Sequence, residues 1–90
     1  MPITLLLTSS LRPLAEGRSR LSVSAETVGE ALEAAAAAYP ALRPRIFDRS
    51  GALRGEMRVY VNDDELRALS LETLVAEGDQ VVLVAPLAAG

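Results

Sequence analysis

Few side chains in this sequence could do covalent chemistry. It contains no Cys and no His, and all nine of its basic residues are Arg. Thiol nucleophiles, disulfides, imidazole acid/base groups, Schiff-base lysines and the usual soft metal ligands are therefore absent together. The densest carboxylate cluster, Asp63-Asp64-Glu65, fits no calcium-loop spacing, and adjacent acids in a turn more often stay solvated. The sequence predicts no metal site and no catalytic centre.

The last five residues offer a different chemistry. Pro86, Leu87, Ala88 and Ala89 are slim and uncharged, so they could thread a narrow channel and present the carboxylate of Gly90. A carboxylate is a poor electrophile until it is adenylated, and it can then accept sulfur as a thiocarboxylate. Such an end would let a chain without Cys carry reactive sulfur. Small residues are also common at frayed termini, so the hypothesis depends on the fold that presents them.

Length and hydrophobic patterning predict the elements that would hold this tail. Ninety residues, of which 50% are hydrophobic, predict one domain over residues 1–85 and a tail over residues 86–90. Alternation and β-branching predict strands at 3–8, 18–24, 57–61, near 65–66 and at 80–84. The first two strands should form a hairpin.

One main helix is predicted between the second and third strands. Thr27 and Glu30 have capping-box spacing, and Pro40 ends the helical pattern. Among its apolar residues, Val28, Leu32 and Tyr39 are expected to provide most of the packing. Residues 41–55 are interpreted as a packed loop with one helical turn, and residues 71–75 as a single turn of helix.

This order predicts a two-layer α+β domain with the last strand parallel to the first. The arrangement is that of a β-grasp (ubiquitin-like) fold, a mixed sheet of four to five strands packed on one main helix. With one helix, the second face of the sheet has nothing predicted to cover it.

Four apolar residues are expected on that second face: Leu6, Tyr60, Val82 and Val84. Exposed apolar patches on small proteins usually mark interfaces, so these residues are candidates for docking a partner. Two alternatives stay open. The segment 41–55 could fold over the patch, or a register shift of one residue could exchange the two faces.

The net charge and the hydropathy of the chain limit the classes of partner that the sequence predicts. A net charge of −3 and the lack of a long apolar run predict no nucleic-acid partner and no membrane span, and a cytoplasmic location is the default. Residues 43–58 hold five Arg against Asp48 and Glu56, while residues 62–79 hold six acids against Arg67. A solvated surface explains this asymmetry more simply than steering of a partner, which remains the alternative.

Three stretches of the sequence carry a family resemblance. Residues 59–65 (VYVNDDE), 77–81 (EGDQV) and 85–90 (APLAAG) resemble those of the ubiquitin-like sulfur carriers, which include the small subunit of molybdopterin synthase and the carriers of thiamine and cysteine synthesis. The resemblance covers the whole chain in element order. One departure is that Ala89 stands before Gly90, where the family typically has a second glycine.

The resemblance implies a role for each part. Gly90 would be adenylated by a ubiquitin-activating-type enzyme and converted to a thiocarboxylate, residues 86–89 would thread that enzyme's channel, and the apolar face would dock. The carrier itself would bind no cofactor, since ATP is used by the activating enzyme. A sulfur donor and a sulfur-accepting synthase complete the implied partners, and the final acceptor stays open.

Two other functions remain possible from the sequence. The chain could be a noncatalytic interaction module that uses its apolar sheet face and never activates its tail. It could also be a protein modifier that is joined to lysines of other proteins through the same activated carboxylate. An enzyme in its own right is the least favoured interpretation.

Overall fold

A computed structural model describes residues 2–66 and 71–85. The predicted tail, residues 86–90, lies outside the described residues. The helices and strands, in chain order, are β1 (Pro2–Leu7), β2 (Arg20–Ser24), α1 (Val28–Ala38), α2 (Arg43–Ile46), β3 (Arg58–Val61), β4 (Asp64–Glu65) and β5 (Gln80–Val84). Two 3₁₀ turns, Arg12–Ala15 and Pro40–Leu42, were not predicted as such.

The strands form one mixed sheet in the order β2-β1-β5-β3-β4. β1 and β5 are parallel, and every other neighbouring pair is antiparallel. The parallel pairing of the first and last strands is therefore confirmed, as is the α+β, β-grasp class. The predicted strand bounds differ from the observed ones by at most two residues.

Alternation along the strands gives the sheet two faces. Ile3, Leu5 and Leu7 share the face that packs against α1, as predicted, and each is at most 2% exposed. Val81 and Leu83 of β5 lie on the same face and are fully buried. The registers Leu5↔Val81 and Leu7↔Leu83 place these side chains side by side in the core.

α1 begins as the sequence predicts, and small residues add to its expected packing. Thr27 is its N-cap, and the Thr27 hydroxyl accepts a hydrogen bond from the Glu30 N–H at 3.1 Å. The expected packing is confirmed for Val28 and Leu32, which have no exposed surface, whereas Tyr39 packs against the core but is only partly buried. The small residues Ala31, Ala35 and Ala36 are also at most 1% exposed, which lets the helix lie close to the sheet.

The segment 41–55 is a packed loop with one helical turn, as predicted, and α2 is that turn. It continues from the Pro40–Leu42 turn into α2, where Pro44 occupies the first turn and needs no N–H partner. Leu42, Ile46 and Phe47 belong to the same core as the α1-facing residues of the sheet. These anchors therefore pack on the helix side and do not cover the second face.

The predicted helical turn at residues 71–75 is wrong. This segment crosses the start of α1, and Leu74 forms an isolated bridge with Thr27. The Gly29 N–H donates to the Leu71 carbonyl at 2.8 Å, and the Val28 N–H donates to the Thr73 carbonyl at 3.0 Å. The segment is held against the start of α1 because its carbonyls accept the first-turn donors of α1, which have no partner inside the helix.

Candidate docking face and tail exit

Three of the four candidate docking residues lie in one row across the sheet. Leu6 of β1 pairs with Val82 of β5, and Val82 pairs with Tyr60 of β3. Their side chains point away from α1, because their neighbours Leu5, Val81 and Val59 point toward it. The register therefore places the three side chains in contact range, and the alternative of a one-residue shift is wrong.

Val84 lies outside this row, two residues after Val82 on the same face of β5. It pairs with Arg58, toward the end at which β5 finishes. All four candidate residues are partly buried, whereas the α1-facing residues between them are buried. We call Leu6, Tyr60, Val82 and Val84 the open-face patch. The structure brings them together but does not test whether they bind a partner.

Charged residues border the patch on both sides. Arg20 pairs with Leu6 at the β2 edge, and Glu65 pairs with Tyr60 at the β4 edge. Arg58 donates a hydrogen bond to Glu65 at 2.7 Å, and this bond raises the pKa of the Arg58 guanidinium above its ordinary value. An apolar centre with a charged, exposed rim is the usual anatomy of a protein interface.

The chain leaves the sheet next to the patch, at Ala85. The Thr8 N–H donates to the Leu83 carbonyl at 3.3 Å, which continues the parallel ladder by one step beyond β1. The next ladder bond would run from the Ala85 N–H to the Thr8 carbonyl, but that carbonyl accepts from the Leu11 N–H at 2.9 Å. The Thr8 hydroxyl takes its place and accepts from the Ala85 N–H at 3.2 Å.

Thr8 thus fixes the root of the predicted tail. Ala85 is 7% exposed and belongs to the core, so residue 86 follows directly from an anchored position. The sequence analysis did not single out Thr8. The available signal was a β-branched hydroxyl residue at the point where the first strand gives way to a Ser-Ser turn.

Asn62 and Asp79 stabilise the turns at the acidic end of the sheet through hydrogen bonds. Asn62 has a φ of 55° at the tight β3–β4 turn, a left-handed conformation that Asn tolerates better than most residues. The Asn62 side-chain oxygen accepts from the Gln80 N–H at 3.2 Å, and Asp79 accepts from the Ala76 N–H at 2.8 Å. In the part of the chain that the structure describes, no three potential metal ligands come together.

The start of α1 offers no free donors for an anion. The Val28 and Gly29 N–H groups are taken by the 71–75 segment, and the Glu30 N–H is taken by Thr27. The Glu30 carboxylate also accepts from the Glu26 N–H at 2.9 Å. Within residues 2–66 and 71–85, no helix reaches the length and apolarity that a membrane crossing needs, and the longest has 11 residues.

Comparison with known proteins assigns the family. The profile of the ThiS family matches residues 5–90, which is nearly the whole chain. The chain belongs to the ThiS family. The predicted membership of the ubiquitin-like sulfur carriers is thereby confirmed.

Individual relatives agree with this assignment along their full length. The sulfur carrier protein CysO of Mycobacterium tuberculosis is 32% identical over 93 aligned positions, which cover 100% of each chain. The crystal structure of SAMP1 from Haloferax volcanii is similar at a TM-score of 0.88 and 30% identity, again over 100% of both chains.

A second similar structure is that of a complex. The BexX/CysO complex of Amycolatopsis orientalis contains a chain with a TM-score of 0.85 and 25% identity, covering 98% of this chain and 99% of that one. Members of this family are small carriers rather than catalysts, and that crystal contains a complex of BexX with CysO.

Proposed function

We propose that this ThiS-family chain carries sulfur as a thiocarboxylate on Gly90, after an ATP-dependent enzyme has adenylated the Gly90 carboxylate. The observation that carries the proposal is the placement of an apolar row, Leu6-Val82-Tyr60, beside Ala85, the anchored residue from which the tail begins. Full-length similarity to a sulfur carrier protein supports it.

The chemistry needs no catalytic side chain on this protein. A Gly90 carboxylate oxygen attacks the α-phosphorus of ATP, and pyrophosphate leaves. Sulfide then attacks the carbonyl carbon of the acyl adenylate, AMP leaves with the bridging oxygen, and a proton is released to solvent. The products are a thiocarboxylate and AMP, with no change in net oxidation state when sulfide is the donor.

In this scheme two parts of the carrier contact each partner. The open-face patch docks the adenylating enzyme and later the sulfur-accepting synthase, while residues 86–89 occupy each partner's channel. Similarity to CysO favours an acceptor in cysteine synthesis over a pterin or a thiazole precursor.

Intact-mass spectrometry tests the proposal. Incubation with ATP, sulfide and the adenylating enzyme of the same organism should add about 16 Da, from the exchange of one oxygen for sulfur at an activated carboxylate. Omission of ATP is the first control, and deletion of Gly90 is the second. An unchanged mass with an enzyme that thiolates another carrier would contradict the proposal.

Ala89 allows a finer test of the threading step. A channel shaped for a two-glycine end has little room for a methyl group at the penultimate position. Ala89→Gly should therefore raise the adenylation rate, while the matched change Ala88→Gly should raise it less. Equal effects of the two changes would show that position 89 is not specially confined.

A second candidate is a protein modifier, favoured by the structural similarity to SAMP1. It uses the same adenylate, but a lysine amine of a target protein attacks it instead of sulfide. The two functions differ in product. Conjugates that resist reducing agent and mild base, formed only with ATP and with Gly90 present, would support the modifier.

A further inference from the structure

The topology of the sheet brings arginines together at one end of its strands. We call this end the exit edge, because the tail begins there. β1 and β5 end at this edge, whereas the antiparallel strands β2 and β3 begin there. Residues that follow β1 and residues that start β2 and β3 therefore become neighbours in space. Four of them are exposed arginines from three separate segments: Arg12, Arg18, Arg20 and Arg58. We call these four residues the exit-edge arginines.

Backbone contacts fix each of these arginines near Leu6, Leu7 or Val84. The Arg12 Nε donates to the Leu7 carbonyl at 3.1 Å. Arg18 and Arg20 flank Ser19, whose carbonyl accepts from the Leu7 N–H at 2.9 Å. Arg20 also pairs with Leu6, and Arg58 pairs with Val84. The arginines thus border both the open-face patch and Ala85.

Within residues 2–66 and 71–85, three of the four arginines have no acidic partner. Arg58 pairs with Glu65, whereas Arg12, Arg18 and Arg20 take part in no ion pair within the described residues. Of the acids near this edge, Glu16 lies exposed at the end of the 12–15 turn, and Glu56, two residues before β3, pairs with Arg54. The edge therefore carries an excess of positive charge on a protein whose net charge is −3.

The other end of the same strands is acidic. β3 ends and β5 begins there, which brings together Asp63, Asp64, Glu77 and Asp79. No basic residue of the described ranges accompanies them. The sheet is thus polarised along its strands, with its positive end at the tail.

The clustering of the exit-edge arginines cannot be seen from their positions in the sequence. The arginine-rich stretch 43–58 points to a single basic segment, but Arg43 pairs with Glu33 and Arg54 with Glu56 around α2. Arg58 is the arginine of that stretch that pairs with the open-face patch, through Val84. The basic surface beside the tail is built mainly from residues 12–20, where the sequence shows only three scattered arginines.

We propose that the exit-edge arginines dock against an acidic protein surface that surrounds the entrance of the channel receiving the tail. This inference rests on the proposed function and names the chemistry of the partner. Opposite charge beside the entrance would orient the carrier so that residue 86 faces the channel before the open-face patch makes contact. Such steering acts mainly on the association rate and weakens with salt.

Two double variants with equal charge change test the proposal. Arg18→Gln with Arg20→Gln neutralises the exit edge and spares Arg12, which holds the Leu7 carbonyl. Arg45→Gln with Arg49→Gln is the control, because both residues are exposed near α2 and belong to no ion pair given for the described residues. The probe is the adenylating enzyme of the same organism, measured by stopped-flow association at low and high salt.

The exit-edge double variant should associate about tenfold more slowly at low salt, with a flatter salt dependence, and the control should stay within about twofold of wild type. Arg18→Lys with Arg20→Lys should restore the rate, because it keeps the charge. Equal slowing of both Gln doubles, or no slowing of either, would overturn the inference. Absence of ATP–pyrophosphate exchange with the unaltered carrier would instead overturn the proposed function.

Discussion

The two faces of the sheet use the same strands and similar residues for different ends. Leu5 is fully buried against α1, while the adjacent Leu6 points the other way and is only partly buried. On β5, Val81 and Leu83 are fully buried and Val82 and Val84 are not. Residue type therefore does not distinguish the faces. What differs is whether an element of the chain covers them.

This difference separates stability from recognition. The α1-facing side chains are buried within the folded chain. The free energy of their burial therefore stabilises the fold and is not available for binding a partner. The open-face patch keeps part of its apolar surface in water, and that surface remains available for binding. The following substitutions test whether one face of the sheet determines stability and the other determines binding.

The largest expected difference is between neighbouring leucines. Leu5→Ala removes a side chain with no exposed surface and should lower the free energy of unfolding by about 3 kcal/mol. Leu6→Ala makes the same chemical change on the open face and should cost less than about 1 kcal/mol. Urea unfolding measures both. Equal losses would mean that the open face is part of the folding core.

A glycine contact on the helix side gives the next effect. A Cβ at Gly29 would meet the Leu71 carbonyl oxygen at 3.2 Å, the same oxygen that accepts the Gly29 N–H. Gly29→Ala should therefore destabilise the protein by about 1 kcal/mol, despite the better helix propensity of Ala.

Gly55→Ala is the matched control for this change. No heavy atom lies within 4 Å of its added Cβ, and its φ is not positive, so the substitution should be neutral or slightly stabilising. A stabilised Gly29→Ala protein would show that the 71–75 segment moves aside without cost.

Thr8 follows the last residue of β1, next to Ala85. We expect its hydroxyl to stabilise the backbone at Ala85. Thr8→Val keeps the shape of the side chain and leaves the Ala85 N–H without its acceptor, at a cost of about 1 kcal/mol. Hydrogen exchange at the Ala85 amide should become faster. Thr8→Ser should retain protection, and unchanged exchange in Thr8→Val would show that the bond does not hold the root of the tail.

The smallest effect lies in the loop after α2, on neither face of the sheet. The Ser50 hydroxyl and the Ser50 and Ala52 N–H groups donate to Asp48, and the Ser50 hydroxyl bond is the largest cause that lowers the pKa of this carboxyl. A lowered folded-state pKa stabilises the protein above the unfolded-state pKa, and this stabilisation is lost as pH falls through the folded-state pKa.

Carbon-detected NMR titration checks this expectation. The Asp48 carboxyl should titrate below its value in an unfolded peptide, and Ser50→Ala should move the midpoint upward. Coincident midpoints in the folded protein and the peptide would contradict the bonding described for this loop.

The strands and their faces were predictable because their signal is local. Side chains alternate with a period of two, so Ile3, Leu5 and Leu7 had to share a face once the strand was assigned. The same rule placed Leu6, Tyr60 and Val82 on the other face. The parallel pairing of β1 and β5 followed from connection rules for one helix and one sheet.

Features that depend on distant backbone atoms were not predictable. The 71–75 segment is shaped by donors of α1 that lie more than forty residues earlier, and nothing in its own sequence records them. The Thr8 hydroxyl matters because the Thr8 carbonyl is already used by Leu11. The exit-edge arginines come from three segments that only the strand order brings together.

Carrier-dependent ATP–pyrophosphate exchange tests most directly whether the open-face patch docks the adenylating enzyme. Val82→Asp places a charge in the centre of the patch, and Ser22→Asp places the same charge on the exposed edge strand β2. We predict that Val82→Asp lowers exchange at least about tenfold while the protein stays folded, because a charge buried in an interface without a partner is costly, and that Ser22→Asp exchanges like wild type. A folded Val82→Asp protein that exchanges as fast as Ser22→Asp would contradict the account.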